Sequence, residues 1–360
     1  MRVLILTRYG RLGASSRVRF LQYVPWLEEA AIQVTVQPLL SDALLRLRYA
    51  RGAYPVWALV GAYVKRWATL QRREAYDLLW IEKEAFPWWP LWLEAALLRS
   101  VPYVLDYDDA VYLAYDANPR AWVRRLFAGR LGRLMAKSAL VVGGNDYLAN
   151  YARSNGAARV AVVPTVLDLA RYPAHQRRSI LDSSKLDRLR VVWIGSPATV
   201  HYLQLLAEPL RVLVREASFV LRVIGGGAVQ LPGVPIELVP WSEDTEVEAI
   251  ADCDIGVMPL VDSDWERGKC GYKLIQYMAC SLPVVASGVG VNPEIVEPGV
   301  NGFLANSNQE WVAALRTLLG DPSLRSQMGL AGRQRVERDY CVQQTGPRMV
   351  TLLQSVGGAA

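Results

Sequence analysis

Lys269 and Lys273 stand on either side of Gly271, where a glycine-punctuated loop runs into an apolar helical pattern beginning near Tyr272. The first turn of a helix presents backbone N–H groups that the helix itself does not use. A glycine lets a ligand come close, and flanking cations add charge. Together these parts suit a phosphate or diphosphate. They fit equally an ordinary loop–helix–strand unit with surface lysines. The helix should end near Ser281, and Pro283 should open the β-branched strand Val284–Ala286.

Three other loops carry polar residues in patterns worth weighing. Arg8-Tyr-Gly-Arg-Leu-Gly-Ala-Ser-Ser-Arg-Val-Arg19 offers Gly10 and Gly13 for a tight turn and Ser15 or Ser16 to cap a helix. Its Arg17 and Arg19 can meet phosphate or sugar hydroxyls, although a cap with surface arginines explains the same residues. No Gly-x-Gly-x-x-Gly is present, so a dinucleotide fingerprint is not supported. Asp106-Tyr-Asp-Asp-Ala110 puts three carboxylates within four residues, a costly arrangement without a partner or solvent. One of them can cap the next helix, or the run can be read as a metal-binding DxD motif. Trp193-Ile-Gly-Ser-Pro197 places Gly195 and Ser196 where backbone N–H groups and a hydroxyl can donate to an anion. Asn145, in Gly143-Gly-Asn145, is a further polar residue at a strand end.

These loops need a scaffold, and the chain has enough residues for one. Its 360 residues, 52% of them hydrophobic, are sufficient for two domains with real cores. Short apolar runs alternate with longer helical patterns. The runs are Val3–Leu6, Gln33–Val36, Leu78–Ile81, Tyr103–Leu105, Leu140–Val142 and Val160–Val163, then Val191–Ile194, Val220–Ile224, Ile236–Leu238, Ile255–Met258, Val284–Ala286 and Gly302–Leu304. Helical patterns include Phe20–Glu29, Val123–Ala136 and about Arg333–Ser355. Such a βαβ rhythm implies mainly parallel sheets covered on both faces, which argues against the DxD reading. Residues 169–189, with Pro173 and many charges, read as a linker.

Four cysteines without metal-ligand spacing read as reduced thiols of a cytoplasmic protein. With only His175 and His201, a His-based metal site or a Ser–His triad is not expected. No metal and no resident cofactor are expected. No signal peptide is evident, and no apolar run reaches the roughly 20 residues of a membrane span. Residues 1–170 carry 22 Lys and Arg against 14 Asp and Glu, a balance of +8, and eight of the twelve tryptophans. Arg46–Arg51, Lys65–Trp67, Gln71–Arg73 and Arg120–Phe127 mix cations with aromatics. That mixture suits an anionic membrane surface or a pyrophosphate-linked acceptor, or a solvated basic surface. No nucleic-acid motif accompanies it, so nucleic acid is not expected as a partner.

The Gly268–Ser287 stretch resembles the donor-site signature of the retaining family 4 glycosyltransferases, also described as glycosyl transferases group 1. The likeness spans nearly the whole chain and is sharpest over residues 191–305. It implies an α/β GT-B fold: two Rossmann-like doubly wound parallel-sheet domains facing a central cleft. Residues 1–168, with about 340–360 crossing back, would form the acceptor-side domain, and 190–339 the nucleotide-sugar domain. The family's Glu-x7-Glu pair falls on Gly268 and Gln276, so both acids are absent. Its Arg/Lys diphosphate clamp falls on Ser196 and His201. A variant branch that pairs Gly-Ser-Pro with Lys-Cys-Gly-x-Lys-Leu shows the same changes.

By this resemblance the donor diphosphate would lie on Gly13, Gly195, Ser196, Lys269, Gly271, Tyr272 and Lys273. Lys269, Lys273 or Arg267 would supply the charge, and Glu266 stands two residues out of register with the missing first acid. The nucleoside would be held by Pro240, Trp241 and Gln276, and the acceptor side by Ser16, Arg17 and Asn145. Asp108 and Asp109 would bond sugar hydroxyls and, with Lys273, form the catalytic set. The implied reaction moves a sugar from a nucleotide-diphosphate sugar to a hydroxyl of a glycan or lipid-linked acceptor, with retention. The leaving phosphate would help deprotonate the acceptor. The missing acids leave open a non-catalytic nucleotide-sugar binder or scaffold.

Overall fold

The computed structural model describes residues 1–173 and 188–358. By contacts the chain forms two units. One comprises Met1–Val166, Gly268–Cys270 and Val342–Ala360, and the other Leu167–Arg267 and Gly271–Cys341. Most of the 169–189 linker expectation therefore falls on 174–187, outside the described residues, as does His175.

All twelve apolar runs are strands. The first unit holds β1 (Arg2–Tyr9), β2 (Gln33–Leu40), β3 (Leu78–Glu82), β4 (Tyr103–Tyr107), β5 (Leu140–Gly143) and β6 (Val160–Val162). The second holds β7 (Leu189–Ile194), β8 (Phe219–Ile224), β9 (Ile236–Val239), β10 (Ile255–Met258), β11 (Val284–Ala286) and β12 (Gly302–Leu304). The strand orders are β2-β1-β3-β4-β5-β6 and β12-β11-β10-β7-β8-β9. Every pairing is parallel. This is the doubly wound α/β class, and β3 and β4 are buried along their whole length, as strands covered on both faces must be. Each order reverses direction once, between β1 and β3 in the first sheet and between β7 and β10 in the second. Ligands of open α/β sheets bind beyond the carboxyl ends of strands at such a switch.

The helical patterns are more broken than their periodicity suggests. Phe20–Glu29 opens with a 3-10 turn, Leu21–Tyr23, before the helix Val24–Glu29. Val123–Ala136 is two helices, Ala121–Phe127 and Arg130–Ala136, separated at Gly129 with φ +66°. The C-terminal run is also two, Pro322–Asp339 and Val342–Gly357, with Tyr340 and Cys341 between them. The last helix packs on the first unit through a Tyr23–Thr345 hydroxyl bond of 2.9 Å. Gly346 lies so near Trp26 that a Cβ there would come within 2.4 Å of the indole.

Candidate functional site

In the first unit the residues at the carboxyl ends of β1, β3 and β4 form one charged cluster. Its centre is Lys83, which follows β3 at the switch point and has φ +64°. A non-glycine residue in that region is strained, and such strain persists only where surroundings enforce it. Here the Lys83 N–H donates to the Asp106 carbonyl (2.9 Å), and the Tyr107 hydroxyl donates to the Lys83 carbonyl (2.6 Å). The backbone so held aims the ammonium at Asp108 (2.8 Å), Asp109 (3.7 Å) and the Ser15 hydroxyl (3.2 Å).

The three carboxylates at the end of β4 and just beyond it each face a cation. Asp106 is buried and pairs with Arg19 at 2.7 Å. Asp108 accepts from Ser15 at 2.5 Å besides its Lys83 pair. Asp109, whose side chain is 33% exposed, faces Lys83 and Lys269, the latter at 3.9 Å. Burial opposes the charge of Lys83, but Asp108 and Asp109 outweigh it and hold the ammonium above the ordinary lysine range. Burial likewise pushes Asp108 up, yet Lys83 and the Ser15 hydroxyl bring it below the usual carboxylate value. Asp109 is pushed up, by burial first and then by the charge of Asp108. The charged form is thus favoured at Asp108 and disfavoured at Asp109.

Several residues expected to face a ligand are structural. Gly13 is the N-cap of the helix Ala14–Arg19, and no side chain caps it. Ser15 turns to Asp108 instead. Ser16 is fully buried, donates to Glu82 at 2.6 Å and accepts from the Tyr9 N–H, leaving no face for an acceptor. Arg19 is the buried partner of Asp106, and Arg17 is buried with its guanidinium on the Arg11 carbonyl (3.0 Å). Neither Asp108 nor Asp109 caps the helix Leu113–Asp116, whose N-cap is Tyr112. Asn145 caps Asp146–Ser154 through its carbonyl oxygen, and its amide donates to the carbonyls of Gly268 (3.2 Å) and Lys269 (3.0 Å).

That last contact shows why Gly268-Lys-Cys270 has its composition. A Cβ on Gly268 would lie 2.6 Å from the Ala110 Cβ and 2.8 Å from the Ala110 nitrogen. A Cβ on Gly144 would lie 2.4 Å from the Cys270 sulfur, and that thiol donates to the Asp108 carbonyl (3.2 Å). The Asp-Asp-Ala, Gly-Gly-Asn and Gly-Lys-Cys runs therefore fit one another. A glutamate in place of Gly268 has no room beside Ala110, so its absence follows from this packing.

In the second unit the loop after β7 meets those after β8 and β9. The Gly195 N–H donates to the Ile224 carbonyl (3.0 Å). Gly225, at φ +74°, would bring a Cβ within 2.7 Å of the Gly195 carbonyl and 2.8 Å of the Trp241 Cβ. Trp241 is fixed by its indole N–H on Glu246 (2.8 Å), while Pro240 is exposed beside it. Gly271, at φ +65°, is the N-cap of Tyr272–Ala279, and a Cβ there would strike Ile295 at 2.3 Å. On the first turn Lys273 lies with its ammonium 4.4 Å over the ring of Trp193, a cation–π contact that orients it along β7. Ser196 is half-buried and Tyr272 partly exposed.

Other candidates are occupied or displaced. Gln276 is buried and donates to the Tyr172 hydroxyl at 3.1 Å, so it props Tyr172 and does not present its amide to a ribose. Glu266 accepts from Tyr202 and Ser263. Arg267 pairs with Asp262 at 2.7 Å, and His201 is exposed against Tyr202. Lys83 was not read from the sequence. The available signal was the triplet Glu82-Lys-Glu84 at the end of the apolar run Leu78–Ile81.

The family described as Glycosyl transferases group 1 matches residues 188–321. The alpha-maltose-1-phosphate synthase of Mycobacterium tuberculosis is 35% identical over 293 residues, which cover 68% of this chain and 71% of that protein. The chain spans about half the length, or less, of the first curated relatives it matches. The sucrose-phosphate synthase of Thermosynechococcus elongatus superposes with a TM-score of 0.75 at 14% identity, covering 100% of both chains. Anabaena HepE, solved in complex with UDP-glucose, superposes with a TM-score of 0.71 at 17% identity, over 99% of this chain and 100% of that one. The chain belongs to the group 1 glycosyltransferases, family 4, of GT-B fold.

Proposed function

We propose that this protein is a retaining, metal-independent glycosyltransferase. It takes a sugar from a nucleoside-diphosphate donor and places it on a hydroxyl of a glycan or lipid-linked acceptor, in cell-surface glycan or polysaccharide synthesis. The observation that carries the reading is the helix start at Gly271–Lys273. Its left-handed glycine, first-turn backbone N–H groups and the ammonium set over Trp193 would make an anion cradle at the carboxyl-end side of the second sheet. Binding of UDP-glucose by HepE supports a nucleotide sugar as donor. Gly195 and Ser196 would add backbone and hydroxyl donors, Lys269 would add charge, and Trp241 with Pro240 would pack the base. Asp109, the more open of the paired carboxylates, would take a sugar hydroxyl while Asp108 and Lys83 fix its position.

Stabilising the leaving diphosphate is the largest service such a site can give. Its oxygen would accept the acceptor's proton on the face from which it leaves, while the protein orients both partners. Buried free thiols at all four cysteines agree with a reducing, cytoplasmic location. A second reading, a nucleotide-sugar binder without turnover, is favoured by one observation: Gln276 is committed to Tyr172 and Gly268 to Ala110, where the family has acids. Donor titration followed by detection of released nucleoside diphosphate separates the two. Binding with release in the presence of an acceptor extract supports transfer, and binding without release supports the binder.

A further inference from the structure

The helix Val56–Gln71 has one pinned face and one bare one. On the inner face Arg66 is buried, its guanidinium donating to the carbonyls of Thr7 (2.6 Å) and Gln37 (2.9 Å). On the outer face Trp57, Val60, Val64 and Trp67 follow at helical spacing, and all four are exposed, Trp57 by 86%. A water-facing stripe with two tryptophans is a liability for a protein that meets only water.

The stripe continues onto its neighbours. Tyr63 of the same helix donates to the Pro87 carbonyl at 2.8 Å and lies 6.0 Å from the ring of Trp89. Beside it Trp88 and Trp92 are exposed, Trp92 by 72%. Trp88 meets the ring of Phe127 edge-on at 5.9 Å, and on that next helix Trp122 and Leu126 are exposed. Three adjoining elements of one unit thus present five exposed tryptophans.

The charge around them has one sign. Residues 43–73 contain seven cations and no acid, and residues 117–145 contain six cations and no acid. Arg66 and Arg130 turn inward, while Arg46, Arg48, Arg51, Lys65, Arg120, Arg124 and Arg125 are exposed. Among the described residues no helix is long and apolar enough to cross a membrane. Tryptophans that combine a large apolar ring with a polar N–H, set among cations, match the headgroup layer of a bilayer bearing anionic lipid.

We propose that this face docks the protein on an anionic lipid surface. Trp57 and Trp67 enter the interfacial layer, and the surrounding arginines and Lys65 neutralise headgroups. Attachment is peripheral and salt-sensitive, because cations and a shallow apolar stripe share the work. It goes beyond the transfer reaction and uses none of the residues assigned to it.

The test is sedimentation of the full chain with phosphatidylcholine vesicles, with and without phosphatidylglycerol. Three proteins are compared: wild type, Trp57→Ser/Trp67→Ser, and Arg124→Glu/Arg125→Glu. Donor titration and melting temperature are run beside it, so loss of donor binding is read separately from loss of docking. Wild type should bind the phosphatidylglycerol vesicles at least about tenfold more tightly than the neutral ones, and raised salt should weaken it. The tryptophan variant should bind at least about tenfold more weakly with melting temperature unchanged. The glutamate variant should lose the preference for phosphatidylglycerol. Wild type that stays in the supernatant, or a tryptophan variant that binds as well as wild type, overturns the proposal. A face that instead joins two copies, seen as a halved scattering mass in the tryptophan variant without vesicle binding, overturns it too.

Discussion

Replacing Lys83 with methionine removes one charge from the β3–β4 cluster and little else. Methionine keeps most of the stem, and it meets the same strain at φ +64°, so the backbone contribution cancels between the two proteins. What is lost is the 2.8 Å pair with Asp108, whose partners are 7% and 12% exposed. Breaking a buried pair from one side leaves an uncompensated charge and costs about 3–5 kcal/mol. The Ser15 hydroxyl, still 2.5 Å from Asp108, offsets part of this, so a loss of about 3 kcal/mol is expected. Asp109 adds little, because it is one-third open to solvent and keeps Lys269 at 3.9 Å. Urea unfolding of wild type, Lys83→Met, Asp108→Asn and the double variant completes the cycle. Neutralising Asp108 removes the stranded charge, so the double variant should be more stable than the sum of the single losses by about 1–2 kcal/mol. In wild type the depressed Asp108 lends stability above its unfolded value, and that stability is lost only in strong acid. Without Lys83 the carboxyl would be raised, so the gap to wild type should narrow as pH falls from neutral toward 5. Additive losses, or a Lys83→Met protein as stable as wild type, would refute the electrostatic account of this cluster.

Other consequences follow from single contacts. Gly268→Ala puts a methyl against the Ala110 backbone at 2.8 Å and should destabilise by about 1–3 kcal/mol in thermal unfolding. Gly268→Glu should fare worse despite supplying the family's acid; a gain in transfer rate would show that the loop relaxes. Burial lifts the Glu94 carboxyl to about 7, against the charge of Arg130. The unfolded chain has released this proton by pH 5.5, whereas the folded state gives it up only as pH rises through about 7. Glu94 therefore makes the fold less stable as pH rises, by about 2 kcal/mol across that interval. Glu94→Gln should remove that share of the pH dependence, and identical wild-type and variant profiles would contradict it. Gly271→Ala forces a side chain into the left-handed region and against Ile295 at 2.3 Å. It should lower both stability and nucleotide affinity, each readable by calorimetry.

Strands were legible because each is a short apolar run between turn residues, and burial on both faces demands that composition. Helix breaks were less so: the apolar period continues through Ala128-Gly129, where an extended Ala128 (ψ 139°) and a left-handed Gly129 (φ +66°) divide it. The cradle glycines could be read from type and place. The need for a glycine at 268, by contrast, depends on Ala110, over a hundred positions away. Lys83 looked like any lysine after a strand, and its burial is set by Asp108 and Ser15, which no local pattern reports. By its place in the motif Gln276 falls at a ribose. Every residue from Leu274 to Ala279 is buried, so helical periodicity carried no warning that its amide is turned to Tyr172.

On the proposed function, the helix start at Gly271–Lys273 would hold the diphosphate of a nucleotide sugar. Isothermal titration of wild type and Lys273→Ala with UDP, GDP and their glucose and mannose conjugates, without added metal, addresses it most directly. Melting temperatures of the two proteins are measured beside it, so that a loss of donor binding is read apart from a loss of fold. The account predicts one-to-one binding of one nucleoside diphosphate by wild type, weakened at least about tenfold by Lys273→Ala, as for loss of a charge-assisted contact. Equal affinity in the two proteins, or no binding by wild type to any of these ligands, would contradict it.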